Sequence, residues 1–562
     1  MSAQTDSALA GATAPIPLYK RMSPVWPILL MAGAIISLGI TQGELHYFVD
    51  ETRHGFTGIF FRDLMIDRPF DNPMQYTFEY YAKYPALGVP HWPPFFYAVE
   101  GVAYLLFGAS VVTSRMVVLL FALMAVYFWY RIAERQGPRR LAVISAFIFP
   151  LVPYILLYER VTMLEIPMFG LCLGAVHFWL RFLESERSIH LWALAAFLSA
   201  ALLTSQKSAF VAFFIVLHFL MERRFRLLLR WQVWAAGAAS MAAVVPWYYL
   251  ATRTLTHSIE RAVGSGMSHA ASSSHLTYYL RRLPAQMLGG AQSDLGIAMG
   301  WTLLTLSAAG LLWALLFAPK RYRFFLLWVA SIYLFFTLVG EKDPRHTMMW
   351  IPALVYFALL AIEALFAHRR WALVACSSFA ACFLVSALQY DRPRVSGMEE
   401  VARYVMSQPD SDLIYYQGAL NGNFTFFVRN MDPERRRMVV REKQFVVARV
   451  GGEYGRREMI STPDQVLELF RTWGIRYAVA QQRDRRPGGE PFYRALETGQ
   501  FEQLAEFTLR SNNPEVDGHR LNVYRYIGPV ERSGEPVVIP MLTLRDHIRV
   551  DLDRMAGRPW PN

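Results

Sequence analysis

Long runs of uncharged, apolar residues constrain this chain more than any other feature. A helix needs roughly 20 such residues to cross a bilayer. Because 54% of the 562 residues are hydrophobic, a soluble fold would expose too much apolar surface. The sequence therefore predicts an α-helical polytopic membrane protein with about 11 transmembrane helices. The predicted spans are 24–41, 110–131, 141–157, 165–183, 189–203, 208–221, 231–251, 298–317, 323–339, 347–366 and 371–389.

Basic residues predict the orientation of these spans. Lys and Arg are enriched in the cytoplasmic loops of membrane proteins. With the N-terminus inside, the basic clusters at 131–140, 223–230 and 320–323 all fall on the cytoplasmic side. One further apolar run, 93–108, would reverse this pattern if it crossed, so we interpret it as an interfacial or re-entrant helix. The net charge of +12 is explained by these loops and does not indicate nucleic-acid binding.

The resulting topology divides the chain into three parts. Residues 1–23 form a cytoplasmic tail, and 24–389 form the transmembrane domain, with outer loops at 43–109 and 252–297. The second loop is rich in Ser, His and Gly, which suits either a flexible linker or a substrate-gating loop. Residues 390–562 alternate strand-like and helical patterns and predict an extracytoplasmic soluble α/β domain. The strand-like runs are 412–417, 443–450, 476–481 and 520–528, and the helical ones are 396–407 and 463–473.

Unusual polar residues gather on the outer side of the predicted membrane. The stretch VDETRHGF, residues 49–56, follows the first span and carries Asp50, Glu51 and Arg53. A carboxylate at this position can take a proton from a hydroxyl group or hold a metal, although charged groups at helix ends are also commonly just solvated. The other outer turns and the first outer loop add Lys83, His91, Glu159, Arg160, Glu165, Lys207, Lys342, Asp343, Arg345 and His346.

The order of these motifs resembles that of the GT-C membrane glycosyltransferases. VDETRHGF is followed by HWPPFFY, ERVTMLEIPM, LTSQK and KDPRHTMMW. Within that superfamily, residues 24–389 are most similar to the protein mannosyltransferase and lipid A aminoarabinose transferase branch. The resemblance implies a polyprenyl-phosphate sugar donor, an extracytoplasmic active site and inversion at the anomeric carbon. It also implies Asp50 as catalytic base, Glu51 as its acidic neighbour and Glu165 as the second acid, where the family often has Asp.

The chain departs from the family pattern at the cation that binds the donor phosphate. The family has a lysine directly before Pro-Pro, whereas this chain has HWPP, with Lys83 upstream. The candidates for phosphate binding are Lys83, Lys207, Lys342, Arg345 and His346, with Arg53 and His91 as further site candidates. A divalent metal between Asp50 and Glu165 is compatible with their chemistry but is not required. No other cofactor is implied.

The predicted function is transfer of a sugar to an acceptor hydroxyl on a lipid, glycan or protein. The active site and C-terminal domain are expected to face the periplasm or exterior of a bacterial inner membrane. A transporter or flippase of lipid-linked sugars is the alternative, but it would place ionisable groups near the bilayer midplane. A membrane-anchored scaffold whose outer domain binds a partner is the third hypothesis.

Overall fold

A computed structural model describes residues 23–44, 46–89, 91–254, 273–339, 342–442, 447–449, 456–481, 489–532, 534, 536–540 and 547–560. The described residues between 23 and 388 are mainly helical. The helices that follow the predicted spans are α1 (Val25–Ser37), α5 (Val111–Gln136), α6 (Arg139–Ile148), α7 (Pro153–Glu159), α8 (Glu165–Ser185), α9 (Ser188–Leu202), α10 (Ala209–Glu222), α11 (Trp231–Thr254), α13 (Asp294–Phe317), α14 (Arg323–Leu338), α15 (Ile351–Leu365) and α16 (Arg369–Leu388). Four more helices, α2–α4 and α12, lie in the segments predicted as outer loops.

The helical, membrane-spanning character of this region is confirmed. Six described segments are long and apolar enough to cross a bilayer: α5, α8, α11, α13, α16 and Pro344–Leu365, which contains α15. Arg139–Leu151 and Pro153–Glu159 would form a seventh span, bent by 63°. Four shorter apolar helices, among them α1, α9 and α14, accompany them. The count of eleven spans therefore stays a prediction.

The segments predicted as outer loops contain more helix than a loop assignment suggests. The first holds α2 (Val49–Asp67), α3 (Pro73–Lys83) and α4 (Phe95–Phe107), the last of which is the apolar run that we did not expect to cross. Helices α2 and α4 cross closely, because a Cβ atom at Gly101 would lie 2.9 Å from the backbone nitrogen of Arg62. The second outer loop contains α12 (Ser273–Leu288), and 255–272 lies outside the described residues.

The C-terminal region contains strands and helices at the predicted positions, although 443–446 and 450 of the predicted strand 443–450 lie outside the described residues. Its five-stranded sheet has the order β3-β2-β6-β9-β7, in which β2 runs parallel to β3 and β6, and β9 runs antiparallel to β6 and β7. The strands are β1 (Val395–Ser396), β2 (Leu413–Gln417), β3 (Met438–Arg441), β4 (Val447–Arg449), β5 (Arg456–Glu458), β6 (Tyr477–Gln481), β7 (Phe501–Thr508), β8 (Arg510–Ser511), β9 (Arg520–Tyr526), β10 (Val537–Pro540) and β11 (His547–Val550). The helices are α17 (Met398–Met406), α18 (Asn421–Met431), α19 (Pro463–Trp473), α20 (Glu490–Leu496) and α21 (Leu552–Met555).

The first outer loop and the C-terminal domain share one hydrophobic core. Tyr76 and Tyr80 of α3 pack edge-on against Trp560, with ring centroids 5.5 and 5.6 Å apart. A buried ion-pair network reinforces this contact: Asp63 of α2 lies 2.7 Å from a guanidinium nitrogen of Arg429 on α18. Unpaired charges are costly to bury, so this network fixes α2 against the C-terminal domain.

Candidate functional site

The start of α2 places two carboxylates on different sides of the helix. Asp50 and Glu51 lie in its first turn, where the exposed N–H groups and the helix dipole favour negative charge. The side chain of Asp50 is 41% exposed, whereas Glu51 is only 1% exposed. Asp50 is therefore the accessible acid of the pair.

Arg345 joins three carboxylates that come from distant parts of the sequence. Its guanidinium lies 3.0 Å from a carboxylate oxygen of Glu165, 2.7 Å from Asp343 and 4.0 Å from Asp50. Lys207 completes the group, because its ammonium donates to Asp343 at 2.9 Å. We call Asp50, Glu165, Lys207, Asp343 and Arg345 the acid–base cluster. Each member lies at or beside the end of a predicted span.

Local backbone structure explains how the cluster is held. Glu165 is the first residue of α8, and Lys207 lies in a 3₁₀ turn, Gln206–Ser208, between α9 and α10. Asp343 caps the 3₁₀ helix Pro344–Trp350 by accepting from the backbone N–H of Arg345 at 2.9 Å. Burial alone would raise the pKa of Asp343, but the charges of Lys207 and Arg345 hold that pKa well below its usual range. These two charges favour the ionised form of Asp343, whose carboxylate accepts from both cations.

Glu51 is a structural anchor for the same site. Its Oε2 accepts from the backbone N–H groups of Tyr47 at 2.6 Å and Phe48 at 3.2 Å. Its Oε1 accepts from the N–H of Thr162 at 2.6 Å, which lies three residues before Glu165. Burial raises the pKa of Glu51, while these N–H donors and Arg115 oppose that shift. The carboxylate thus ties the Asp50 turn to the Glu165 turn.

Two of the predicted phosphate-binding residues have other partners. The ammonium of Lys342 donates to the carbonyls of Phe336 at 2.8 Å and Thr337 at 2.7 Å, and so caps the end of α14. The Nδ1 of His346 lies 2.8 Å from the hydroxyl of Tyr279, and its ring stacks on Phe336. Both residues neighbour the acid–base cluster in sequence, and these contacts hold their side chains in place beside it.

Lys83 lies in the interface with the C-terminal domain. Its ammonium donates to the carbonyl of Met555 and stands 5.6 Å from the centre of the Trp560 ring. Burial lowers the pKa of Lys83 to about 7, because the interface offers little solvation for a charge. Lys83 therefore contacts the C-terminal domain. None of its contacts described here involves a member of the acid–base cluster.

The two further candidates, Arg53 and His91, flank the cluster. Arg53 lies one turn after Asp50 on α2 and interacts electrostatically with Asp50 and with Arg441 on β3. Arg441 in turn donates to the hydroxyl of Tyr81 at 2.7 Å. His91 is exposed, and its ring packs edge-on against Trp92 with centroids 4.9 Å apart.

Sequence reasoning noted His54 in the stretch after Asp50 but gave it no role, and it missed Tyr97. His54 lies four residues after Asp50 on α2 and therefore on the same helix face. Its Nδ1 is 2.7 Å from the hydroxyl of Tyr97, and its ring centre is 4.6 Å from that of Trp92. The i, i+4 spacing from Asp50 was the available signal, but it becomes informative only when 49–67 is known to be helical.

The carboxylates of the cluster do not form a metal site in this arrangement. Among the described residues, no group of three or more His, Cys, Asp and Glu side chains is placed to hold a metal ion. The guanidinium of Arg345 stands between Asp50 and Glu165, the two proposed ligands, and supplies positive charge there. We therefore derive no reaction step through a metal.

Comparison with known proteins agrees with this architecture. Over 89% of this chain and 97% of its own, the crystal structure of ArnT from Cupriavidus metallidurans bound to undecaprenyl phosphate superposes with a TM-score of 0.58 at 16% identity. The chain has the GT-C fold. The apo form of the same protein gives a TM-score of 0.56 at 16% identity, over 90% of this chain and 99% of that one.

Two further comparisons concern the same fold. The Archaeoglobus fulgidus oligosaccharyltransferase in complex with Zn and sulfate has a TM-score of 0.52 at 10% identity, over 82% of this chain and 68% of its own. Residues 91–250 match the family of dolichyl-phosphate-mannose-protein mannosyltransferases. No curated protein is significantly similar to the chain in sequence. The resemblance to GT-C transferases expected from the motifs is thus confirmed at the level of fold.

Proposed function

We propose that this protein is an inverting glycosyltransferase that moves a sugar from a polyprenyl-phosphate donor to an acceptor hydroxyl. The observation that carries the proposal is the acid–base cluster, in which an accessible carboxylate, Asp50, stands 4.0 Å from a guanidinium of Arg345. Such a pair places a base beside a cation that can hold a phosphate. The GT-C fold and the undecaprenyl phosphate bound to ArnT support this donor class.

Each member of the cluster has a role in the proposed reaction. Asp50 takes the proton of the acceptor hydroxyl as its oxygen attacks the anomeric carbon. The bond from that carbon to the phosphate oxygen breaks on the opposite face, so the configuration inverts. Arg345 and Lys207 hold the polyprenyl phosphate that leaves, which needs no strong general acid. Asp343 orients both cations, and Glu165 fixes Arg345 from the other side.

The one-sided position of the cluster favours this reaction over transport. Glu165 begins α8, Lys207 lies between α9 and α10, and Arg345 precedes α15. These are ends of predicted spans on one face of the membrane, where a lipid-linked sugar would present its head group. We propose that this face is the periplasmic side of a bacterial inner membrane. The acceptor hydroxyl belongs to a lipid, glycan or protein.

The test is release of polyprenyl phosphate by the purified protein in lipid nanodiscs. A panel of polyprenyl-phosphate sugars is supplied together with a crude membrane fraction as the source of acceptors. Asp50→Asn is expected to lower turnover by about 10²–10⁴-fold, the usual contribution of a general base, with donor affinity retained. Asp294→Asn, which changes an exposed carboxylate at the start of α13, is the matched control and keeps full turnover.

Equal turnover by Asp50→Asn would refute the assignment of the base. A second outcome is that the wild type binds a donor and yet transfers its sugar to no acceptor. In that case, movement of labelled donor in proteoliposomes is measured to test the alternative, a flippase or transporter of lipid-linked sugars. Movement of that donor between leaflets would then favour a carrier of lipid-linked sugars.

A further inference from the structure

Trp92 stands directly before Pro93 and Pro94, which lead into α4. Its indole ring is firmly seated: a Cβ atom on Gly88 would lie 2.5 Å from the ring, so only glycine fits beneath it. Gly88 is itself fixed to α2, because its backbone N–H donates to the hydroxyl of Thr57 at 2.9 Å. The indole of Trp92 is nevertheless partly exposed. Trp92 is thus a supported and partly exposed aromatic side chain beside α2.

His54 connects this aromatic face to the acid–base cluster. The rings of His54 and Trp92 have centroids 4.6 Å apart, and Tyr97 holds the Nδ1 of His54 by a 2.7 Å hydrogen bond. With Nδ1 engaged, the Nε2 is the ring nitrogen that remains for another partner. His54 shares a face of α2 with Asp50 and interacts electrostatically with Arg345. His54 therefore lies beside Trp92 and Tyr97, on the face of α2 that also carries Asp50.

We propose that Trp92 and His54 form the seat of the donor's sugar ring. The C–H face of a sugar ring is apolar and packs on an aromatic face, while its hydroxyls need directed hydrogen bonds. Trp92 offers the aromatic face and His54 the hydrogen-bonding group. In this arrangement Arg345 and Lys207 hold the donor phosphate. This inference rests on the proposed donor class. It concerns binding of the donor, so its test does not depend on turnover.

The test compares two ligands that differ only in the sugar. Binding of a polyprenyl-phosphate sugar and of polyprenyl phosphate alone is measured on the full-length protein in nanodiscs. The wild type is expected to bind the sugar-bearing lipid more tightly. Trp92→Ala should weaken binding of the sugar-bearing lipid by about 3- to 10-fold, which is the usual contribution of an aromatic contact. Binding of the bare lipid should not change. His54→Gln should reduce the same preference, and Trp92→Phe should keep most of it.

Matched variants separate this role from simple packing. Trp234 is 65% exposed on α11, so Trp234→Ala controls for loss of an indole and should change neither affinity. Equal weakening of both lipids by Trp92→Ala and Trp92→Phe would show a structural role and overturn the proposal. Equal affinity of the wild type for both lipids would overturn it as well. Full turnover by Asp50→Asn, in contrast, would refute the proposed base and leave the sugar seat intact.

Discussion

Replacing Glu51 tests whether this acid is an anchor or a catalyst. The buried carboxylate accepts three backbone N–H groups, from Tyr47, Phe48 and Thr162. In Glu51→Gln one oxygen is replaced by an amide NH₂, which cannot accept, so at least one N–H loses its acceptor. A hydrogen bond to a charged group contributes about 1.5–3 kcal/mol, and a buried donor left unpaired costs about 1–3 kcal/mol. We therefore expect Glu51→Gln to destabilise the protein by about 2–4 kcal/mol.

Glu51→Ala removes both oxygens and should destabilise the protein further. Thermal unfolding in nanodiscs and donor turnover are measured together, with Glu502→Gln as control because its side chain is 49% exposed. If Glu51 is an anchor, both variants should have a lower unfolding temperature and a lower turnover than the wild type. Unchanged stability with turnover lost would instead show direct participation in catalysis. No change in either quantity would refute the reasoning from hydrogen bonds altogether.

Three other substitutions test the remaining charged contacts. Arg345→Lys should reduce turnover by about 10- to 100-fold, because one ammonium cannot replace the guanidinium fork between Glu165 and Asp343; steady-state kinetics checks this. Lys83→Met should keep donor affinity and remove a pH dependence of stability. In the wild type, folding lowers the pKa of Lys83 from 10.5 to about 7, so the unfolded chain binds more protons between these values and unfolding temperature should rise with pH there. Asp63→Asn should lower the free energy of unfolding by about 3–5 kcal/mol, because Arg429 stays buried while its carboxylate partner is removed. Faster proteolysis where the first predicted outer loop meets the C-terminal domain should detect this loss.

Local sequence patterns predicted much of the secondary structure because they reflect local physics. Apolar runs can satisfy their backbone only as helices in a membrane, so each predicted span lies on a helix or a bent pair. The runs at 412–417, 476–481 and 520–528 are β2, β6 and β9. The strands β3 and β7 were missed. Strand β7 is largely solvent-accessible and carries charged residues, so its pattern is weak.

The partners of charged residues could not be predicted in the same way. The sequence predicts that Lys83, Lys207, Lys342 and Arg345 are cations on one side of the membrane. It does not show that carbonyls of α14 hold Lys342, or that Met555, 472 residues away, holds Lys83. Because a carbonyl partner is present at every residue, composition carries no signal for such contacts. The grouping of Glu165, Lys207 and Arg345 could be predicted, because the predicted topology places those turns on the same side.

The position of Asp50 depends on both halves of the chain. On the membrane side, Glu51 binds the N–H of Thr162 and so sets α2 against the start of α8. On the other side, Asn423 of α18 binds the backbone of His46 twice, accepting from its N–H at 3.2 Å and donating to its carbonyl at 2.9 Å. Asp50, the proposed base, lies between these two contacts. A rigid C-terminal domain is therefore a structural requirement of the site, because without it only one side of the Asp50 turn would be fixed.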